Sequence, residues 1–179
     1  MKDHESQHWD DPLPGFRWPT AVTHRMATPS ERVWEVISTP GNLEQFHPFC
    51  SKNPVNNWPG EDSRDEVHYL NGWILERRFC NWIEGAGYDL QIAENGGKSS
   101  FVSWRVAPET SDSSILRIAI YPYVLQDIPS VVRWIPHLLR VHPMLKKYLV
   151  SVLRGFEWFV IRGEKVPRNQ FGRHPWFSE

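Results

Sequence analysis

Three charged residues stand together in the longest strand-like segment of the sequence, residues 73–83. Glu76, Arg77 and Arg78 interrupt a run that is otherwise mostly apolar and aromatic. Successive side chains of a strand point to opposite faces, so Glu76 and Arg78 share one face and Arg77 takes the other. Inside a cavity, a Glu76–Arg78 pair could orient a carboxylate, carbonyl or hydroxyl group of a ligand, because buried charges are costly unless they are paired. On an exposed face the same pair would be an ordinary surface ion pair that contributes little. The residues alone leave both interpretations open.

Two histidines and a tyrosine are the other candidates for chemistry. His47 follows a predicted short helix and titrates near neutrality, although a histidine at a turn more often bonds the backbone. His68 lies in the middle of a predicted strand, and Tyr121 lies in the last one. If Glu76 pointed inward near His68 or Tyr121, desolvation could raise the pKa of its carboxyl group and make it a general acid or base.

Recognised metal and cofactor motifs are missing from the sequence. We find no His-x-x-x-His, no Cys-x-x-Cys, no glycine-rich phosphate loop and no Gly-x-Ser-x-Gly elbow. We therefore expect no metal site and no cofactor.

The composition favours one compact domain with a bulky interior. The 179 residues include 10 Trp, 9 Phe and 5 Tyr, and large aromatic side chains fill cores and also line apolar pockets. The 20 Lys and Arg nearly balance the 21 Asp and Glu, which gives no electrostatic reason to expect nucleic acid as a partner.

The cellular location is predicted from the ends and the cysteines. The polar start lacks the apolar stretch of a signal peptide, and no uninterrupted apolar run is long enough to form a transmembrane segment. Cys50 and Cys80 have no metal-ligand spacing and are interpreted as free thiols in a reducing compartment. A cytoplasmic protein is expected.

Local signals predict a strand, two short helices, a strand meander and a long C-terminal helix. Thr28 can cap the first helix, and Pro29 would then stand at its first helical position. Short turns such as Asn71–Gly72 connect the strands of an antiparallel meander. Gly163 is expected to end the last helix. We divide the chain into an N-terminal arm (1–15), one domain (16–163) and a tail (164–179) that packs on the domain or on a partner chain.

The last helix carries one continuous apolar stripe. Leu145, Leu149, Val152, Phe156 and Phe159 recur at three and four residues. A curved antiparallel sheet cannot cover its own concave face, whereas a long amphipathic helix laid across it can. A deep curve leaves a cavity between the helix and the sheet.

Two segments resemble a known superfamily. Residues 27–43, ATPSERVWEVISTPGNL, are similar to the opening signature of the START-like (SRPBCC) superfamily, which includes the birch-pollen allergens and the polyketide cyclase/dehydrase group. Residues 72–78, GWILERR, resemble the central strand of that superfamily, which often carries a Glu–Arg pair. The resemblance implies an α+β helix-grip fold around an internal cavity, with the Glu76 side of the strand facing that cavity. Its members include carriers, receptors, cyclases and chaperone regulators, and they share no catalytic set.

The resemblance and the composition together predict binding or transport of a small hydrophobic ligand, such as a lipid or a polyketide. The alternative is an enzyme of the cyclase, dehydratase or hydrolase kind that uses polar cavity residues. The residues expected to contact the ligand are Glu76, Arg78, His68, Trp82, Trp104, Tyr121, Trp134, Leu149, Val152 and Phe156.

The segment before the long helix departs from the simplest pattern of the superfamily. Trp134 lies there among Val131, Val132, Ile135, Leu138 and Leu139. Plain packing is the first interpretation of this apolar segment. A lid over the cavity entrance, a homodimer contact and a shallow membrane contact beside Arg133 and Arg140 are the others.

Overall fold

The computed structural model describes residues 18–125, 127–129 and 131–178. The predicted arm, residues 1–15, lies outside the described residues. The elements are β1 (Thr20–Met26), α1 (Ser30–Ile37), α2 (Leu43–Phe46), β2 (Cys50–Lys52), β3 (Val55–Asn57), β4 (Arg64–Tyr69), β5 (Ile74–Ile83), β6 (Gly87–Ala93), β7 (Ser100–Pro108), β8 (Ser114–Tyr121), α3 (Trp134–Pro136) and α4 (His142–Arg162).

The strands of the described chain form one antiparallel sheet with the order β1-β8-β7-β6-β5-β4-β2, and β3 pairs with β4. Strands β4 to β8 follow one another across the sheet, as the meander prediction requires. The β4–β5 connection contains Gly72 at φ 85°, a backbone conformation that glycine adopts without strain. In the β4–β5 register Asp65 lies opposite Arg77, and Glu66 lies opposite Glu76.

Helix α4 lies across the concave face of the sheet and confirms the predicted apolar stripe. Leu145, Leu149, Val152 and Phe156 are all buried. Gly163 ends the helix in the left-handed conformation, as predicted. The helix also packs closely on α2 at Gly155, where a Cβ atom would lie 2.1 Å from the carbonyl oxygen of Phe46.

Two helix predictions need correction. Helix α1 begins at Ser30 with Pro29 as its N-cap and without a side-chain cap, so Thr28 is not the capping residue. Instead the Thr28 carbonyl accepts a hydrogen bond from Ser114 Oγ at 2.8 Å. The helical pattern of residues 130–141 predicts a separate helix that Pro136 kinks or splits. The described part is the α-helical turn α3, then a π-helical turn (His137–Val141) that continues into α4. Proline lacks the N–H of a regular helical bond, and the change of helix type follows it directly.

The described part of the tail packs on the domain. The Val166 amide donates to the Gln45 carbonyl at 2.8 Å, and the Asn169 amide donates to the Pro48 carbonyl at 2.9 Å. Farther along, Asn71 Nδ2 donates to the Trp176 carbonyl at 2.8 Å. The tail therefore contributes to the same folded unit as α2 and the β4–β5 turn.

Candidate functional site

A cavity of about 150 Å³ separates α4 from the sheet. Apolar side chains form most of its wall, among them Val67, Leu90 and Val102 from the sheet and Leu145 and Leu149 from α4. An apolar cavity of this volume is large enough to take up one aromatic ring.

The cavity reaches the surface at the end of the sheet where α4 begins. The β4–β5 turn, the β6–β7 turn and the segment after β8 all lie at this end, because neighbouring strands are antiparallel. Trp73, Glu94 and Val124 come from these three segments, line the cavity and are exposed to solvent. They form the mouth, and Trp176 and Phe177 of the tail complete the lining beside Trp73.

Aromatic packing closes the opposite end. Trp82 stacks on Tyr88 at 5.6 Å and meets Trp34 edge-on at 5.4 Å. Phe46 meets Phe156 edge-on at 5.0 Å where α2 crosses α4. Trp34, Phe46, Tyr88 and Phe156 belong to the buried core, and the partly buried Trp82 packs against it.

A buried ion pair stands in the wall of the cavity. Arg77 lines the cavity, and its Nε donates to Asp65 Oδ1 at 2.6 Å while Nη2 donates to Asp65 Oδ2. Asn53 Nδ2 adds a third bond to Asp65 at 3.0 Å. The two charged side chains are almost completely buried. The charge of Asp65 raises the pKa of the Arg77 guanidinium despite the opposing effect of burial, so Arg77 remains positive at all ordinary pH values.

A hydrogen-bonded cluster of three rings stands beside this pair. His47 Nε2 lies 2.8 Å from Tyr148 Oη, and Tyr148 Oη lies 3.0 Å from Tyr69 Oη. All three residues line the cavity. Burial and the positive charge of Arg77 lower the pKa of His47 to about 3, so this histidine is neutral near neutral pH. Burial raises the pKa of Tyr69 to about 12 and that of Tyr148 still further, so both hydroxyl groups keep their hydrogens.

The prediction that the strand face of Glu76 and Arg78 points into the cavity was wrong. Arg77 faces the cavity, and Glu76 and Arg78 pair on the outer face of the sheet at 2.7 Å. His68 lies on that outer face too and bonds Glu66 Oε2 at 2.9 Å. The hydrogen bond from Arg78 lowers the pKa of the Glu76 carboxyl group, which is the opposite of the raised pKa that a buried general acid would need.

The other predicted ligand contacts divide into two groups. Trp104, Leu149 and Val152 line the cavity. Four other predicted contacts lie outside the lining. Trp82 and Phe156 belong to the aromatic packing at the closed end, and Tyr121 packs on Phe101 in a small cluster on the outer face. Trp134 is exposed, as are its apolar neighbours Val131, Leu138 and Leu139.

Sequence reasoning missed most of the polar cavity residues. Arg77 alternates with Leu75 and Phe79, two apolar residues on the same strand face, and this alternation was a usable signal for its inward direction. Tyr148 precedes Leu149 at the edge of the apolar stripe of α4. Nothing in the local sequence places Trp176 and Phe177 at the cavity, because long-range packing of the tail brings them there.

Within the described ranges, no group of three or more His, Cys, Asp or Glu could hold a metal ion. No helix in this part of the chain is long and apolar enough to cross a bilayer. Cys50 and Cys80 are free thiols, with Cys50 buried and Cys80 exposed.

Comparisons with known proteins identify the fold through structure alone. No protein-family profile and no curated sequence matches the chain. Among solved structures, DynU16 from the dynemicin biosynthetic locus superposes with a TM-score of 0.62 at 13% identity over 82% of this chain, which spans 48% of DynU16. A START superfamily protein from Mycobacterium smegmatis gives a TM-score of 0.60 at 14% identity, covering 80% of this chain and 97% of that one.

A third neighbour is an enzyme. Norcoclaurine synthase from Thalictrum flavum, solved with dopamine and hydroxybenzaldehyde, gives a TM-score of 0.56 at 14% identity, covering 83% of this chain and 90% of that one. Identities this low carry the fold and not the activity. The curved antiparallel sheet, the long C-terminal helix and these neighbours confirm the predicted architecture, an α+β helix-grip fold.

Proposed function

We propose that this protein binds a small, mostly apolar molecule in the cavity between α4 and the sheet, as a carrier or binding protein. The observation that carries the proposal is the cavity itself, with about 150 Å³ of space and predominantly apolar walls. Well-packed interiors contain few voids larger than a water molecule, so a space of this size is a feature that packing alone does not require. Its mouth at Trp73 and Val124 offers a route for a ligand to enter.

The size of the ligand follows from the volume. One aromatic ring with a short substituent matches a cavity of this size, whereas a long acyl chain does not. The norcoclaurine synthase neighbour was solved with two single-ring aromatic molecules, dopamine and hydroxybenzaldehyde, which supports this scale for the fold.

The enzyme alternative loses the observation that motivated it. Glu76 and Arg78 lie on the outer face, and His68 is bonded to Glu66 there. The polar groups that do line the cavity suit binding better than proton transfer. His47 has both ring nitrogens engaged, and Tyr69 has a pKa of about 12. A general acid or base works best with a pKa near the operating pH.

A cytoplasmic location fits the two free thiols.

Filling the cavity tests the proposal. Val152 lines the cavity, and Val150 stands two residues away on the exposed side of the same helix. We expect the wild-type protein and Val150→Phe to bind ethylbenzene in isothermal titration calorimetry. We expect Val152→Phe to lose at least tenfold in affinity, because the added ring occupies the ligand space.

Circular dichroism and thermal unfolding establish that both variants are folded. In a filled core, a larger side chain typically costs about 1–3 kcal/mol of stability through overpacking. A spare cavity should accept the ring of Val152→Phe at a lower cost. Failure of the wild-type protein to bind ethylbenzene or benzene, or equal binding by the two variants, would contradict the proposal.

A further inference from the structure

The cluster of His47, Tyr148 and Tyr69 has one hydrogen more than its internal bonds can use. The Phe49 amide donates to His47 Nδ1 at 3.2 Å, and on this contact we assign the lone pair of the neutral ring to Nδ1. Because His47 is neutral, its single hydrogen is on Nε2. The 2.8 Å bond to Tyr148 Oη is therefore donated by His47. Tyr148 cannot donate to the histidine, and its own hydrogen must go elsewhere.

The two tyrosines share only one bond. Tyr148 Oη and Tyr69 Oη lie 3.0 Å apart, so one hydroxyl donates to the other and uses one of their two hydrogens. The second hydroxyl hydrogen has no acceptor among the described residues of the cluster. This count holds whichever tyrosine is the donor. A buried donor that lacks an acceptor is less stable than a satisfied one, so an acceptor in the cavity would be favoured.

The surroundings select the kind of acceptor. Apolar walls favour a ligand that is otherwise a hydrocarbon, and the nearby positive charge of Arg77 favours an oxygen with partial negative charge. Two bonds to Asp65 already hold the guanidinium of Arg77. A carboxylate would therefore have one neutral donor and no free counter-charge, and burying an unpaired carboxylate is costly.

We propose that the spare hydroxyl hydrogen of the Tyr69–Tyr148 pair is a subsite for the carbonyl oxygen of a ring-sized ketone or aldehyde. This inference rests on the proposed binding function and makes it more specific. The carbonyl group points at the two tyrosines, and the ring of the ligand packs on the apolar wall formed by α4 and the sheet.

Two ligands of similar shape test the subsite. Acetophenone carries a carbonyl where ethylbenzene carries a methylene group. Affinities are measured by calorimetry for the wild-type protein, for Tyr69→Phe and for Tyr69→Phe combined with Tyr148→Phe. Tyr121→Phe is the matched control, because Tyr121 is a buried tyrosine on the opposite face of the sheet.

The informative quantity is the ratio of the two affinities, which removes the difference in hydrophobicity between the ligands. We expect the double variant to lose between about threefold and tenfold of the relative preference for acetophenone, as for one net hydrogen bond. The control should retain the wild-type ratio. The infrared carbonyl stretch of bound acetophenone gives a second readout: it should lie lower in the wild-type protein than in the double variant.

The outcomes separate the two proposals. If the wild-type protein binds neither ligand, the proposed function fails and this subsite fails with it. If ethylbenzene binds and both the affinity ratio and the carbonyl frequency are unchanged in the double variant, only the subsite is overturned.

Discussion

Replacing Asp65 by Asn should be among the most damaging isosteric changes available to this fold. The substitution keeps the shape of the side chain and removes its charge. Arg77 then remains buried and positive without a counter-ion, because Asp65 accepts both of the guanidinium bonds that hold it. The side chains of Asp65 and Arg77 are 0% and 4% exposed, so water cannot replace the lost charge.

The expected magnitude follows from the burial of the pair. Removing one partner of a buried ion pair typically costs about 3–5 kcal/mol. For a protein of this length, that loss corresponds to a fall in Tm of roughly 10 °C. Glu76→Gln is the matched control, because it breaks a carboxylate–arginine bond on the neighbouring strand but on the outer face. Exposed pairs contribute little, so Glu76→Gln should leave the stability almost unchanged.

Urea unfolding followed by circular dichroism measures both free energies of unfolding. Equal losses for Asp65→Asn and Glu76→Gln would refute the reasoning, because burial would then not distinguish the two pairs. A further variant separates charge from packing: Asp65→Leu combined with Arg77→Met removes both charges. Replacing a buried pair by apolar residues of similar volume is often neutral or stabilising, so this double variant should recover most of the loss.

Three further predictions concern the elements around the cavity. Because the pKa of His47 falls from 6.5 in the unfolded chain to about 3 in the fold, the unfolded state binds the extra proton first on acidification, and stability falls as pH drops below 6.5. Between pH 6.5 and 4.5, urea titrations should show that His47→Gln avoids about 2–3 kcal/mol of the stability loss of the wild-type protein. Parallel pH curves for the two proteins would contradict this. Gly155→Ala should lower the Tm by more than 5 °C, because the added Cβ atom would lie 2.1 Å from the Phe46 carbonyl oxygen. An unchanged Tm would mean that α4 can move away from α2 at no cost. Phe177→Ala should lower the free energy of unfolding in urea by about 3–5 kcal/mol, since the ring packs on Tyr148 at 4.5 Å and is almost fully buried. A loss under 1 kcal/mol would show that the tail is not part of the core.

The sequence by itself determined the order of the elements, and its resemblance to the START-like superfamily implied the helix-grip architecture. Periodicity placed the apolar stripe of α4, and the turn at Asn71–Gly72 and the end at Gly163 are local signals that later packing does not override. Such features are encoded in a few consecutive residues, so they can be predicted without knowing what each element contacts.

Local signals could not predict which face of β5 points into the cavity. Strand β5 carries apolar residues in both phases of the alternation, with Leu75 and Phe79 on one side and Ile74 and Trp82 on the other. The register shifts between Phe79 and Asn81, so Trp82 packs against the core although strict alternation would put it on the face of Glu76. A shift of one residue exchanges the two faces of a strand, and only the pairing with β4 and β6 fixes the true phase.

The polar side of the cavity was decided by tertiary structure alone. His47, Tyr69 and Tyr148 are separated by up to 101 residues in the chain, and their hydrogen bonds exist because α4 packs across the sheet. The same packing brings Phe177 of the tail onto Tyr69 and Tyr148. Local patterns predict which residues can be buried, whereas the partners of a buried polar group depend on which distant elements meet.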